Sequence, residues 1–177
     1  MKNFVRYFFM GFWNHFFCYL PSYHLRYIIL KYIYRAKLGK VNIHLGVKFF
    51  SPWKLTMDDG SNIQWGSFLD CRGNIHIGKN VDITLGVRIL SQDHDVRTSD
   101  YKTRSREVVI CDNVVVGSYA LILPGSVLNE NCVLGAGSVF SGIIPIGDVF
   151  IGNPATFHSK RNVNEVLYTC DYKRPFH

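Results

Sequence analysis

Residues 110–150 read ICDNVVVGSYALILPGSVLNENCVLGAGSVFSGIIPIGDVF, and an aliphatic or aromatic side chain returns at every sixth position: Ile110, Val116, Ile122, Leu128, Leu134, Phe140 and Ile146. Four residues after each of these stand Val114, Ala120, Ser126, Cys132, Ser138, Ile144 and Phe150, mostly small or apolar. Gly117, Gly135 and Gly147 directly follow their aliphatic neighbours. A period of six is neither the 3.6 of an α-helix nor the alternation of a half-buried strand. It is the period of a parallel β-helix, in which three short strands make one triangular coil. One position per face points inward and stacks on its equivalents in the next coil, while the turns take small or flexible residues. An antiparallel sandwich does not hold a six-residue register over so long a run.

The same rhythm runs upstream with insertions. Leu55, Met57, Ile63 and Leu69 match Ile75, Ile77, Ile83 and Ile89 at an offset of 20 residues, two more than three hexads need. A wider turn at Asp70 to Asn74 is predicted. With Ile43 and Phe49 beginning the first coil, about five coils are expected, stacked at roughly the 4.8 Å interstrand spacing. Between Ile89 and Ile110 the hexads stop. The excess, Asp93 to Glu107, is predicted to loop out of the coil, and loops on a rigid scaffold are where chemistry tends to sit.

Working outward, three regions separate: an aromatic and basic segment over 1–40, the β-helix domain over 41–152 with its loop at 93–107, and a polar tail over 153–177. The first reads as two helices broken at Pro21-Ser22, with Ser22 as the N-cap of the second. In the second, Leu25, Ile28, Ile29, Tyr32, Ile33 and Ala36 recur at helical spacing, with Arg26, Lys31, Arg35 and Lys37 mostly off that stripe. The first helix is apolar nearly all round. Phe4 to Leu20 is nevertheless short for a membrane span and carries Arg6, Asn14 and His15.

The 177 residues carry a formal charge of +7, from 20 Lys+Arg against 13 Asp+Glu. The distribution matters more than the sum. Nine basic residues precede Asp58, the first acidic one, and the rest of the chain holds 11 basic and 13 acidic side chains. The positive charge is therefore confined to the segment ahead of the repeats, which speaks against nucleic acid as a partner. Five cysteines without a C-x-x-C pair, and no small-residue cleavage site after the early apolar stretch, point to a reducing, cytoplasmic setting.

Four stretches, Ile75-His-Ile-Gly-Lys-Asn-Val81, Gln92-Asp-His-Asp95, Val116-Gly-Ser-Tyr-Ala-Leu-Ile-Leu-Pro-Gly125 and Ile151-Gly-Asn-Pro-Ala155, together with Leu134-Gly-Ala-Gly-Ser138, resemble the hexapeptide-repeat acyltransferases. Within that family the nearest are the colanic acid, maltose and nodulation-factor O-acetyltransferases. The resemblance implies a left-handed β-helix, a homotrimer, and acetyl-CoA as acyl donor. It assigns His94 as the base that takes a proton from an acceptor hydroxyl. A histidine suits the step because its unperturbed pKa near 6.5 leaves it largely neutral yet able to accept a proton. A carboxylate or carbonyl should orient its ring, and Asp93 and Asp95 are nearest in sequence.

The resemblance further implies a backbone N–H at Ser118 for the developing oxyanion. It places Ser118, Ala136 and Gly152-Asn153-Pro154-Ala155 along the donor, Lys160 and Arg161 at its phosphates, and Gln64 and Asp70 at the acceptor. Asp70 reads equally as a turn residue, and Lys160-Arg161 equally as solvated tail. Val115 and Thr156 depart from the family pattern, where tryptophan and a basic residue are common. No metal ligand set is expected. The expected activity is O-acetylation of a saccharide or glycolipid precursor of a bacterial surface polysaccharide. Alternatives left open are N-acetylation of an amino sugar or small xenobiotic, a zinc enzyme on the same scaffold, and a non-catalytic β-helix. For the front segment two compatible readings stand: it caps the open end of the β-helix or packs between subunits, or it lies on an anionic membrane surface as a peripheral contact.

Overall fold

The computed structural model describes residues 2–163 and 166–170, so part of the tail assigned to 153–177 lies outside the described residues. Three parallel sheets wrap one core. Face one stacks Lys37–Leu38, Leu55–Met57, Ile75–Ile77, Val108–Ile110, Val127–Leu128 and Ile143–Ile144. Face two stacks Asn42–Ile43, Asn62–Ile63, Asp82–Ile83, Val115–Val116, Val133–Leu134 and Asp148–Gly152, and is closed by the antiparallel strand Ala155–Lys160. Face three stacks Lys48–Phe50, Phe68–Asp70, Arg88–Leu90, Leu121–Ile122 and Val139–Phe140.

The upstream offset is the pairing register: Leu55 lies beside Ile75, Met57 beside Ile77, Ile63 beside Ile83 and Leu69 beside Ile89. The two extra residues per coil form short 3₁₀ turns, Pro52–Lys54 and Cys71–Gly73. Ile110, Val116, Ile122, Leu128 and Leu134 are fully buried, and each contributes roughly 1.5–3 kcal/mol by leaving water. Val114, Ala120, Ser126, Cys132 and Ser138 fill the inner corners and are fully buried too. Their small size lets the chain turn there without leaving the core.

Two expectations about the coils are corrected. Face one carries six strands, not five, because Lys37–Leu38 already pairs with Thr56 and Met57. The β-helix thus starts inside the segment read as helical. The hexad also slips at its far end: Leu128 pairs with Ile144, which is buried, while Ile146 is exposed. The turn after Phe140 is two residues shorter than its predecessors, and Gly142 at φ +123 makes that tight corner.

The front holds α1 (Lys2–His15) and α2 (Tyr23–Ile28), and Ser22 Oγ accepts from the Leu25 N–H as N-cap of α2. A π-turn, Ile29–Ile33, follows α2. This front caps the first coil. Asn14 takes the place of a missing strand, its Nδ2 donating to the Phe49 carbonyl (2.9 Å) and its Oδ1 accepting from the Phe49 N–H (3.0 Å). Trp13 Nε1 donates to the Val47 carbonyl at 3.0 Å, and Arg26 donates to the carbonyls of Ile43 and Leu20. The open end of a β-helix otherwise leaves these edge groups unpaired.

The expected apolar stripe of the second helix is split, with Ala36 buried and Ile29 packed against the core but the rest turned outward. Arg26, Leu30 and Tyr34 are buried, whereas Leu25, Ile28, Tyr32 and Ile33 are exposed. On α1, Trp13 and Met10 point inward and Phe4, Tyr7, Phe8 and Phe9 outward. No helix among the described residues is long and apolar enough to cross a membrane.

Candidate active site

The excursion between faces three and one is a β-hairpin, in which Gln92–His94 runs antiparallel to Thr103–Ser105. Its root is held by charge. Arg104 donates to both Asp93 carboxylate oxygens at 3.0 Å, and Arg106 adds a third bond at 2.9 Å. The Arg104 hydrogen bond, reinforced by both guanidinium charges, holds the Asp93 carboxyl below its ordinary range. Asp95 receives Arg104 at 3.4 Å and the Arg97 N–H at 3.0 Å. Both aspartates nearest to His94 are therefore engaged with arginines.

His94 is oriented by Tyr101 instead. Its Nδ1 lies 2.9 Å from the Tyr101 carbonyl, and its ring stacks on the Tyr101 ring at 4.4 Å and 4°. A carbonyl only accepts, so Nδ1 carries the proton and Nε2 presents its lone pair from an exposed ring. Tyr101 makes this contact from a left-handed conformation, φ +49. Such a conformation costs a bulky residue about 1–3 kcal/mol and persists where the surroundings dictate it. Spacing in the sequence did not signal Tyr101, since only the closing of the hairpin brings it back to His94.

The other expected residues divide among the edges of the triangular prism. The edge between faces two and three carries Gln64 in the second coil, Ser118 in the fourth, Ala136 in the fifth, and the Gly152-to-Ala155 turn beyond. Consecutive coils touch here: the Gly137 N–H donates to the Ser118 carbonyl at 2.8 Å, and the Gly152 N–H to Ser138 Oγ at 3.0 Å. Gly117 permits the approach, because a Cβ there would lie 2.3 Å from the Ala136 nitrogen. Ser118 Oγ donates to Thr84 Oγ1 (3.2 Å), and Gln64 Nε2 donates to Asp82 (3.1 Å).

Each turn on this edge needs a left-handed residue. Gly46, Gly66, Gly86, Gly137 and Gly152 supply it, but the fourth coil uses Tyr119 at φ +61. Its ring lies over Gly86, where a Cβ would meet it at 2.6 Å. Sequence reading passed over Tyr119, although a tyrosine in a glycine slot beside Ser118 was the available signal.

Asp70 and His94 lie on the edge between faces three and one. One chain thus does not bring His94 and Asp70 together with Ser118, Ala136 and Gln64. Asp70 is buried, caps the Cys71–Gly73 turn and accepts a bidentate pair from Arg72, closest at 2.6 Å. Those are the contacts of its turn reading.

Lys160 and Arg161, expected at the donor phosphates, lie on a different edge of this chain from the Gly152-to-Ala155 turn. The final antiparallel strand carries them back to the edge between faces one and two, with Lys160 opposite Asp148. Lys160 pairs with Asp148, and Arg161 donates to the Asn113 carbonyl (2.7 Å) and the Tyr168 hydroxyl (2.7 Å). Within this chain they stand at the opposite end of that strand from the Gly152-to-Ala155 turn.

No cysteine is poised as a nucleophile among the described residues. Burial pushes the thiols of Cys132 and Cys170 up to about 12 and raises those of Cys18, Cys71 and Cys111. No group of three or more His, Cys, Asp or Glu side chains arranged for a metal ion occurs among the described residues.

A hairpin-borne histidine and a glycine-paved edge on a parallel β-helix define a class of hexapeptide-repeat proteins, and comparison with known proteins bears on it directly. Residues 107–142 match the family model described as bacterial transferase hexapeptide (six repeats). The chain is 31% identical over 130 residues, 73% of its length, to the galactoside O-acetyltransferase of Lactococcus lactis. It is 29% identical over 130 residues to the putative colanic acid biosynthesis acetyltransferase WcaF of Escherichia coli, 73% of this chain and 71% of that one. It spans 58% of the length of the Lactococcus relative. The hexapeptide-repeat acetyltransferase of Vibrio cholerae, solved in complex with acetyl coenzyme A, superimposes with a TM-score of 0.80 at 18% identity. That likeness covers 87% of this chain and 86% of the other. Residues 107–142 thus carry the hexapeptide repeat, and the fold is that of the left-handed β-helix acetyltransferases.

Proposed function

We propose that the protein is an acetyl-CoA-dependent O-acetyltransferase acting on a saccharide or glycolipid precursor of a bacterial surface polysaccharide. The observation that carries this reading is His94, with Nδ1 anchored on a backbone carbonyl and Nε2 left as a base at the mouth of a rigid hairpin. The acceptor hydroxyl passes its proton to Nε2 while its oxygen bonds to the thioester carbonyl carbon. Negative charge moves onto the carbonyl oxygen, where the Ser118 N–H meets it. Collapse of the intermediate breaks the carbon–sulfur bond, and the CoA thiolate leaves with the proton that His94 returns. General-base assistance of this kind is worth about 10²–10⁴-fold in rate.

The separation of His94 from Ser118 on two edges supports a site shared between neighbouring copies in a homotrimer. One copy then supplies the donor-lined edge and the next its hairpin. The acetyl donor lies along Ser118, Ala136 and the Gly152-to-Ala155 turn. The homotrimer is tested by mixing His94→Ala chains with chains carrying Ser118→Pro, which lack the backbone donor. Recovery of activity in the mixed oligomer supports a shared site, and two inactive parents that stay inactive when mixed contradict it.

The outward side of the front, with Phe4, Phe8, Ile28 and Tyr32 exposed beside a run of basic residues, suits the headgroup region of an anionic bilayer at the cytoplasmic face. Co-sedimentation with phosphatidylglycerol vesicles but not with phosphatidylcholine vesicles is expected. Equal recovery in the supernatant with both would contradict this part. The acetyl-transfer reading is tested by incubating the protein with acetyl-CoA and paired hydroxyl and amine sugars, with thiol release as readout. Ester formation on the hydroxyl sugar is expected, and transfer confined to the amine would replace the reading with N-acetylation.

A further inference from the structure

A cleft of about 680 Å³ opens on face three beside the edge that carries Ser118, lined by Tyr19, Leu45, Lys48, Trp65, Phe68 and Arg88. Lys48 and Arg88 are the register partners of Phe68 in the coils before and after it, so two cations flank one aromatic floor. Among the described residues neither cation pairs with a carboxylate. Lys48 Nζ lies 5.9 Å from the centre of the Tyr19 ring. Lys48 belongs to the basic stretch ahead of Asp58, whereas Arg88 comes from the part of the chain that holds more acidic than basic side chains. Trp65, 44% exposed, stands in a turn braced by the next coil, where the Gly86 N–H donates to its carbonyl at 2.8 Å. An aromatic face on a rigid turn beside unpaired cations suits a sugar ring that carries negative charge: the ring's C–H face packs on the indole, and the anion meets the cations.

We infer that this cleft is the acceptor subsite for an anionic saccharide, with the ring on Trp65 and a phosphate or carboxylate on Lys48 and Arg88. The inference rests on the acetyltransferase reading and deepens it by naming the acceptor's charge. Position supports it. Trp65 lies in the second coil and Ser118 in the fourth, on one edge, about 10 Å apart along the axis. That is the reach of one or two sugar residues, so the charged group sits in the cleft while a neighbouring hydroxyl stands at the level of Ser118. The Tyr119 ring, laid over Gly86, fills the third-coil position between them and continues the aromatic surface.

Equilibrium binding tests this without turnover. Glucose 1-phosphate, glucuronate and glucose are titrated into the intact protein by calorimetry, with acetyl-CoA titrated separately. At least one of the two anionic sugars is expected to bind tenfold or more tighter than glucose, and which one does so identifies phosphate or carboxylate as the anion. The Lys48→Ala/Arg88→Ala double variant should reduce that sugar to the level of glucose, Lys48→Arg/Arg88→Lys should restore the preference, and Trp65→Ala should weaken all three sugars. Acetyl-CoA affinity should stay the same throughout, which also shows that the variants are folded. Glucose binding as tightly as both anionic sugars, no binding of either anionic sugar at millimolar concentration, or a preference that survives the double variant would overturn the inference. Failure of the acetyltransferase reading registers separately, as absence of acetyl-CoA binding in the unaltered protein.

Discussion

The coils and the helical front are both rich in apolar side chains, but the front turns many of its own outward. In the coils, Ile110, Val116, Ile122, Leu128 and Leu134 fall on the inner side of three faces and are fully buried. In the front, four of the six residues of the apolar stripe, Leu25, Ile28, Tyr32 and Ile33, face outward, while Ala36 and Arg26 are buried and Ile29 packs against the core. The difference lies in what each region must satisfy. A β-helix coil pairs its own backbone with its neighbours and needs only apolar filling. The front must satisfy the unpaired edge of the first coil, and for that Asn14, Trp13 and Arg26 supply donors and an acceptor that isoleucine lacks. A helical stripe shows that a helix has two sides. It does not show which side the partner wants.

Substitutions can sharpen or break that contrast. Ile122→Ala, in the middle of the coil stack, should cost about 2–5 kcal/mol, read as a lowered denaturant midpoint. A loss under 1 kcal/mol would mean that the stack is not the stabilising core. Arg26→Met keeps the volume but removes the donors to Ile43 and Leu20, and should cost about 1–3 kcal/mol for each carbonyl left unpaired. A variant as stable as the parent would contradict the capping role. Ile28→Ser, on the outer side, should change stability by no more than about 0.5 kcal/mol while reducing recovery on anionic vesicles. A large stability loss there would show that the outer face is packed against something, such as a second copy.

A similar contrast runs through what could be read in advance. The core of the fold was legible because hexad position and burial are one physical fact in a β-helix: the Leu55-to-Ile89 offset reappears as strand pairing without change. The slip from Ile146 to Ile144 was not legible, since it depends on the sterics of one tight corner at Gly142. At the candidate site, His94 was marked by the break in the hexads that throws out its hairpin. Its orienting partner was not marked, because Tyr101 is seven residues away and meets the imidazole only through hairpin closure. Lys160 and Arg161 follow the Asn-Pro-Ala turn in sequence, but the antiparallel strand between carries them to another edge. The two left-handed tyrosines, 101 and 119, one on each separated edge, became visible only as backbone geometry.

The central claim is that His94 Nε2 is the base for acyl transfer. It is tested most directly by the turnover number of His94→Ala with acetyl-CoA and a saccharide acceptor, alongside calorimetric acetyl-CoA affinity. Turnover should fall about 10²–10⁴-fold with donor affinity unchanged. Turnover equal to that of the unaltered protein would contradict the account.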